Sequence, residues 1–351
     1  MDEIERIKAL SNAFGVSGFE DDVAKIVKEE LSEFDCVEDH MRNVRMVVNP
    51  NGKGPKVMLD AHLDEVGIMV QAVKPNGTMR FLPVGGWMPT NFPSSAFRIK
   101  NKNGEFVKSI VTAKPPHFAS AAEKNMAPAV ENMVLDCGST SDTETINDYC
   151  VGIASPAAPD ITCTYNEKKH LFSGKAFDCR IGVAAEIETI KRVAKQDLNC
   201  VVQGAFSSQE EVGERGVYAN YKALQPDIMI CFEGCPADDT FQEPYLVQAA
   251  LYKGPMLRHF DVSMITSPRF QKFALDIAKK YNIPCQESVR SGGGTDAGKI
   301  HMEGVPCIVI GVPVRYIHSS NCFTTLDDYQ NAVNLAEKII LNLNDEVLKS
   351  F

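Results

Sequence analysis

The sequence predicts an α/β fold, a sheet covered by helices on both faces and interrupted by a small all-β insertion. Three observations carry this. Apolar runs of strand length, such as 307–314, alternate with helical periods beyond residue 171, which is the pattern of strands buried on both faces. Between about residues 66 and 170 the texture changes to short alternating stretches separated by closely spaced turn signals. At 351 residues the chain has room for one large domain or two unequal ones.

Taken in order, Ile4, Ile7, Leu10 and Ala13 share one helical face, and Gly15-Val16-Ser17-Gly18 breaks it. Asp21-Asp22 then open a second helix whose Val23, Ile26, Val27 and Leu31 recur at helical spacing. Strands are expected over 44–48 and 56–61, the second running into His62-Leu63-Asp64. In the insertion, stretches 67–73, 96–100 and 105–112 alternate, divided by Pro75-Asn76-Gly77, Gly85-Gly86 and Asn103-Gly104. That spacing suits a barrel or a compact sandwich. Helices are then expected over 180–195, near 216–221, over 268–281 and over 326–343, with strands at 200–207, 227–232 and 307–314. No internal repeat is present.

Composition narrows the function classes. Lys+Arg minus Asp+Glu is 36 − 46 = −10, with the acids spread along the chain, so a basic nucleic-acid footprint is lacking. No apolar run is long enough for a bilayer span, and the acidic Met1-Asp2-Glu3-Ile4 start has no secretory h-region. Eleven cysteines without a Cys-x-x-Cys pair fit a cytoplasmic, reducing setting in which most pack as small apolar groups. Cys231 and Cys235, four apart, are the nearest pair and a weak zinc signal.

Four segments put acids or a histidine at a strand end or turn: His62-Leu63-Asp64-Glu65, Phe177-Asp178-Cys179-Arg180, Gln209-Glu210-Glu211-Val212-Gly213 and Tyr316-Ile317-His318-Ser319. Phe232-Glu233-Gly234 closes another apolar strand. In an open α/β sheet such strand ends meet at one crevice. Singly, each has a bland reading: a lone histidine is commonly a hydrogen-bonded surface group, and Glu210-Glu211 a solvated pair. Together, two histidines and several carboxylates suit a pair of zinc-type divalent ions.

The segments 61–67, 208–216, 292–298 and 315–319 resemble, in order and spacing, the M42 metallo-aminopeptidases, some of which carry an endoglucanase label. The resemblance covers almost the whole chain. It implies a zinc-peptidase-like catalytic domain, 1–65 and 171–351, with a mixed sheet, and an inserted β-barrel dimerisation domain, 66–170. It implies two divalent ions per subunit, Zn2+ or Co2+, held by His62, Asp178, Glu211, Glu233 and His318, with Asp178 bridging. Asp64 supports the His62 imidazole. Glu210 stays off the ions and serves as general base on a water shared by them, then as acid toward the leaving amine. The substrates implied are peptides, cut at the N-terminus, and the assembly a homo-oligomer of dimers forming a dodecamer, with no nucleic-acid or membrane partner.

Two positions depart from the family pattern: Cys179 stands where Asn or Asp is common, and Glu233 where Asp is common, with Asp238 and Asp239 as fallback donors. The alternatives are another hydrolase on the same site, such as a deacylase, or a weakened assembly paralogue. A glycosidase fits poorly, since it needs two carboxylates and no histidine ligands. Gly292-Gly293-Gly294 lacks the Gly-Lys-Ser/Thr of a phosphate loop and is expected as a tight turn near the substrate. Asp296 either orients a ligand or caps the helix after it. His117 is expected to be structural; His40, His170, His259 and His301 are expected as solvent or core groups.

Overall fold

The computed structural model describes residues 1–124, 126 and 128–351. Its centre is an eight-stranded mixed sheet. The strand order is Val37–Glu38, Val44–Val47, Val201–Ser207, Lys56–His62, Ile228–Pro236, Cys307–Val314, Met256–Phe260 and Gln286–Val289. The four strands from Val201–Ser207 to Cys307–Val314 run parallel, and each is buried on both faces, as their unbroken apolar character requires. Register then does the positioning. His62 pairs with Ser207, Asp60 with Cys231, and Glu233 with Gly311, so His62, Ser207 and Glu233 fall on one row near the carboxyl edge.

Helices cover both faces. On one side Glu3–Asn12, Asp21–Glu30, Phe177–Val193, Pro268–Lys280 and Leu326–Leu341 pack into the larger core; on the other Arg215–Leu224 and Asp296–His301 close a smaller one rich in methionine and cysteine. Leu326–Leu341 has a sharp start because Thr325 Oγ1 accepts from Asp328 N. Among the described residues no helix is long and apolar enough to cross a membrane.

The alternating stretches of the insertion close on themselves. Strands Gly67–Val73, Met79–Val84, Val134–Asp136, Phe106–Thr112, Ser95–Lys100 and Pro156–Pro159 form a barrel in that order. Period-two burial sends Ile68, Val70, Phe97 and Ile99 inward, and the half-buried Trp87 stacks on Phe92 at 4.7 Å against that core. Two features were not legible in the sequence. The helix Asp142–Asn147 is capped by Ser141, which accepts from Glu144 N. The three-stranded sheet Thr164–Asn166, Leu171–Gly174, Cys322–Thr325 forms from runs of three or four residues, too short for a period to register.

A buried ionic knot ties the N-terminal loop beneath the carboxyl edge. Lys175 Nζ lies 2.6 Å from both Glu65 oxygens and donates to Ala13 O. Arg180 donates to the carbonyls of Leu63 and Leu10 and reaches Glu65 Oε1 at 3.4 Å. The guanidinium packs so closely on Gly15 that a Cβ there would come within 2.6 Å of Nη2. Burial pushes the Lys175 amine down to about 8, against the pull of Glu65. Removing one partner of such a pair leaves an uncompensated buried charge. Lys175→Met should therefore lower unfolding free energy by about 3–5 kcal/mol in urea titrations, and adding Glu65→Gln should recover part of the loss. An undiminished midpoint in the single variant would show that the knot is not stabilising.

Candidate active site

Each group in the cleft arrives from a different element. His62 ends its strand, Glu233 sits in the adjacent strand three residues before its end, and Asp178 lies in the first turn of Phe177–Val193. Glu210 and Glu211 occupy the turn after Val201–Ser207, and His318 the turn after Cys307–Val314. The turns are strained: Ala176 (φ 55°), Gln209 (58°), Glu214 (54°), Tyr316 (61°) and His318 (55°) all take left-handed conformations without being glycine. Such strain collects where surrounding structure fixes a functional geometry.

Asp178 is central. Its Oδ1 lies 3.1 Å from His62 Nε2 and its Oδ2 3.1 Å from His318 Nε2, so one carboxylate spans two imidazoles. His62 Nε2 is 3.7 Å from Glu233 Oε2 and 3.8 Å from Glu210 Oε2; His318 Nε2 is 3.5 Å from Glu211 Oε1. Three sets of donor atoms lie within 4.8 Å of one another: His62, Asp178, Cys179 and Glu233; His62, Glu210 and Glu211; and Asp178, Glu211 and His318. All five expected ligands and Glu210 thus line one cleft of about 520 Å³, together with Gly292–Gly294, Arg258 and Arg290.

Asp64 lies directly behind. Wholly buried, it accepts from Ser17 Oγ (2.6 Å), Glu210 N (2.9 Å) and Glu211 N (3.1 Å), and its Oδ1 is 3.3 Å from His62 Nδ1. Although burial opposes its charge, these partners hold its carboxyl below the usual range. Glu20 supports the same turn from the N-terminal loop, accepting from Gln209 N at 3.2 Å and Gly18 N at 2.7 Å. Neither Ser17 nor Glu20 was singled out in the sequence. Both lie in one loop, but their partners are 47 residues away (Asp64, for Ser17) and 189 residues away (Gln209, for Glu20), and no local pattern marks that.

The electrostatics are those of a crowded anionic pocket. Burial, aided by the Asp178 and Asp64 charges, pushes the Glu210 carboxyl up to about 8. Burial likewise drives Glu211 and Glu233 well above the carboxylate range. Burial works against the Asp178 charge too, but hydrogen bonds from both histidines outweigh it and hold that carboxyl well below the range. Burial disfavours the His318 imidazolium, yet Asp178 and Glu211 raise it to about 10. Glu211 Oε1 is buried without a hydrogen-bond partner. An orphaned oxygen amid imidazole nitrogens and carboxylates is the environment that a zinc-type dication satisfies, so the residues fit such an ion.

Several side expectations are corrected. Asp238 and Asp239 are not spare donors: Asp238 accepts from Gln248 N, Ala249 N and Arg290 Nη1, and Asp239 pairs bidentately with Arg315. Asp296 makes no capping hydrogen bond; it begins its helix, is buried with both oxygens lacking a hydrogen-bond partner, and feels the Asp60 charge. Cys231 and Cys235 lie in one buried strand, and neither belongs to a donor set among the described residues. Of the eleven cysteines seven are buried; Cys36, Cys137, Cys150 and Cys285 are only half-buried. The glycine segment lines the cleft, and Gly294 approaches Glu214 so closely that a Cβ would lie 2.6 Å from its Oε1. Arg258 and Arg290 line it as well, but each is committed to an aspartate, Asp261 and Asp238. His170 and His259 pair at the surface with Asp327 and Glu287.

The sequence model of the M42 glutamyl aminopeptidase family matches residues 43–335. The chain is 29% identical to the glutamyl aminopeptidase of Lactococcus lactis subsp. cremoris, covering 99% of this chain and 98% of that protein. Among solved structures, the TET aminopeptidase from the marine sediment archaeon Thaumarchaeota archaeon SCGC AB-539-E09 superposes with a TM-score of 0.94 at 33% identity, over 99% of this chain and 98% of the other. Pyrococcus horikoshii TET1 peptidase, which can assemble into a tetrahedron or a large octahedral shell, gives a TM-score of 0.87 at 27% identity, over 97% of this chain and 100% of that one.

The charge balance sets an expectation for metal uptake. Groups raised above neutral pH carry protons in the metal-free site, and an ion must displace them. Zinc titrated into the metal-free chain near pH 7 should release at least one proton per ion, so affinity should fall as pH is lowered. Calorimetry in two buffers of different ionisation enthalpy measures this; identical heats in both would refute it.

Proposed function

Since the chain belongs to the M42 glutamyl aminopeptidase family and is a peptide hydrolase, we propose that it removes N-terminal residues from peptides using two divalent ions, zinc or cobalt, per subunit. The supporting observation is Asp178, whose two oxygens each meet a different imidazole at 3.1 Å. His62, Asp178 and Glu233 would hold the first ion, and Asp178, Glu211 and His318 the second. Glu233 takes the position of the commoner aspartate, one methylene longer and still an oxygen donor. Bound there, the ions supply Lewis acidity that polarises a peptide carbonyl and acidifies water.

Glu210 does the proton work. Its backbone N–H is fixed on Asp64, and its carboxylate lies 3.8 Å from His62 in the cleft. It takes a proton from the attacking water as the new C–O bond forms. It then returns that proton to the amide nitrogen as the C–N bond breaks and the amine departs. A carboxyl raised toward neutrality by burial is suited to both transfers. Asp64 keeps His62 oriented through Nδ1, as carboxylates do behind ligating histidines. The substrate's free α-amine is anchored beside Glu233.

Residues 1–65 and 171–351 form the catalytic domain in this reading, and 66–170 an inserted dimerisation domain. Dimers set along the edges of a tetrahedron, an assembly open to the Pyrococcus horikoshii relative, give a dodecamer.

Two measurements test the proposal. Glu210→Gln should lower kcat on peptide nitroanilides by about 10²–10⁴ while metal content stays constant, whereas EDTA should abolish wild-type turnover and zinc or cobalt restore it. Full activity in the glutamine variant would sink the mechanism. Light scattering should give a mass many times the 38.6 kDa chain; a monomer mass would reject the assembly.

A further inference from the structure

The donor set around His62 contains a sulfur that the two-ion reading leaves idle. Cys179 Sγ lies within 4.8 Å of donor atoms from His62, Asp178 and Glu233, as these do of one another. The cysteine is completely buried and follows Asp178 in a first helical turn whose backbone leaves helical geometry at both residues (Asp178 φ −83°, ψ 108°; Cys179 φ −109°, ψ 26°). Its hydrogen-bond partner is the carbonyl of Phe232, 3.1 Å away, the residue immediately before Glu233. The sulfur therefore rests against the strand that delivers a carboxylate to the same point. One turn along the helix, Gly182 leaves the space the sulfur occupies, since a Cβ there would collide with Sγ.

We propose that Cys179 supplies a thiolate to the ion held by His62, Asp178 and Glu233, making that position an N, O, O, S site. The inference rests on the two-ion reading above. Zinc–ligand distances near 2.0 Å for nitrogen and oxygen and 2.3 Å for sulfur put tetrahedral donors about 3.3–3.7 Å apart. A set already gathered within 4.8 Å closes to that span by side-chain rotation. As the metal–sulfur bond forms, the thiol proton leaves to solvent and the weak S–H···O contact with Phe232 is given up. The consequence is selectivity: a thiolate favours zinc, cobalt or cadmium over the harder manganese and magnesium. Substrate would then add to this ion as a further ligand, a change of coordination that zinc accommodates.

Cobalt(II) reads ion and sulfur separately. The loaded wild-type chain should show visible d–d bands, reporting occupancy, and a near-ultraviolet sulfur-to-cobalt charge-transfer band, reporting the thiolate. Cys179→Asn and Cys179→Ser should keep the visible bands, lose the charge-transfer band, and lose preference for cadmium over manganese in competition. Cys231→Ala, which removes the next sulfur along, 4.0 Å from Glu233, should leave the band intact. Visible bands without the charge-transfer band in wild type would overturn the sulfur ligand and leave the two-ion reading standing. So would a band that survives in a Cys179 variant or vanishes in Cys231→Ala. No cobalt uptake by the folded wild-type chain would overturn both.

Discussion

The buried Asp64 carboxylate is the constraint from which the rest of the cleft follows. It receives a hydroxyl from the N-terminal loop and two backbone N–H groups from the Glu210–Glu211 turn, and lies 3.3 Å from an imidazole on its own strand end. Three segments distant in sequence are thereby fixed to one pair of oxygens. A carboxylate with this many partners stays charged even when buried. The charge makes it a hub: each donor gains from an ionised acceptor about twice what a neutral one would give. Glu65, one residue on, repeats the device with Lys175 and Arg180.

The pocket above that hub is built at an electrostatic cost. Asp178, Glu210, Glu211 and Glu233 converge in one cleft, opposed chiefly by the His62 and His318 imidazoles, with Arg258 acting on Glu233 while committed to Asp261. Left alone, such a group of acids resolves its repulsion by taking protons, as the raised Glu210, Glu211 and Glu233 carboxyls indicate. A dication would resolve it instead, and the donor sets gathered here suit one. Two adjacent glutamates serve different ends because successive side chains in the turn diverge: Glu211 reaches toward His318 while Glu210 stays near His62.

Much of this was legible in the sequence, for identifiable reasons. The central strands are apolar throughout, so their burial between helices followed from pattern alone, whereas their parallel pairing and the row carrying His62, Ser207 and Glu233 needed the register. Singly, His62, Asp178, Glu210, Glu211, Glu233 and His318 had bland readings; as a set at strand ends and turns they stood out, and the family resemblance supplied the role of each. Ser17 and Glu20 were not legible, since what they hold is 47 and 189 residues away. Asp238 and Asp239 looked like spare ligands because composition cannot reveal that arginines already hold them. Cys179 drew notice only as a departure; that its sulfur borders the donor set depends on backbone angles that no residue pattern encodes.

The wide scatter of the converging groups along the chain has a bearing on biogenesis. Asp178 meets His62 across 116 residues and His318 across 140. No early fragment of a nascent polypeptide contains the whole set, so an ion cannot template folding as it does in small zinc modules, where neighbouring ligands close a short loop. The scaffold has to mature first, held by its hydrophobic interior and by the ionic tether beneath the strand ends. If these residues hold an ion as proposed, its uptake would be a late step, open only to molecules whose last segments have docked.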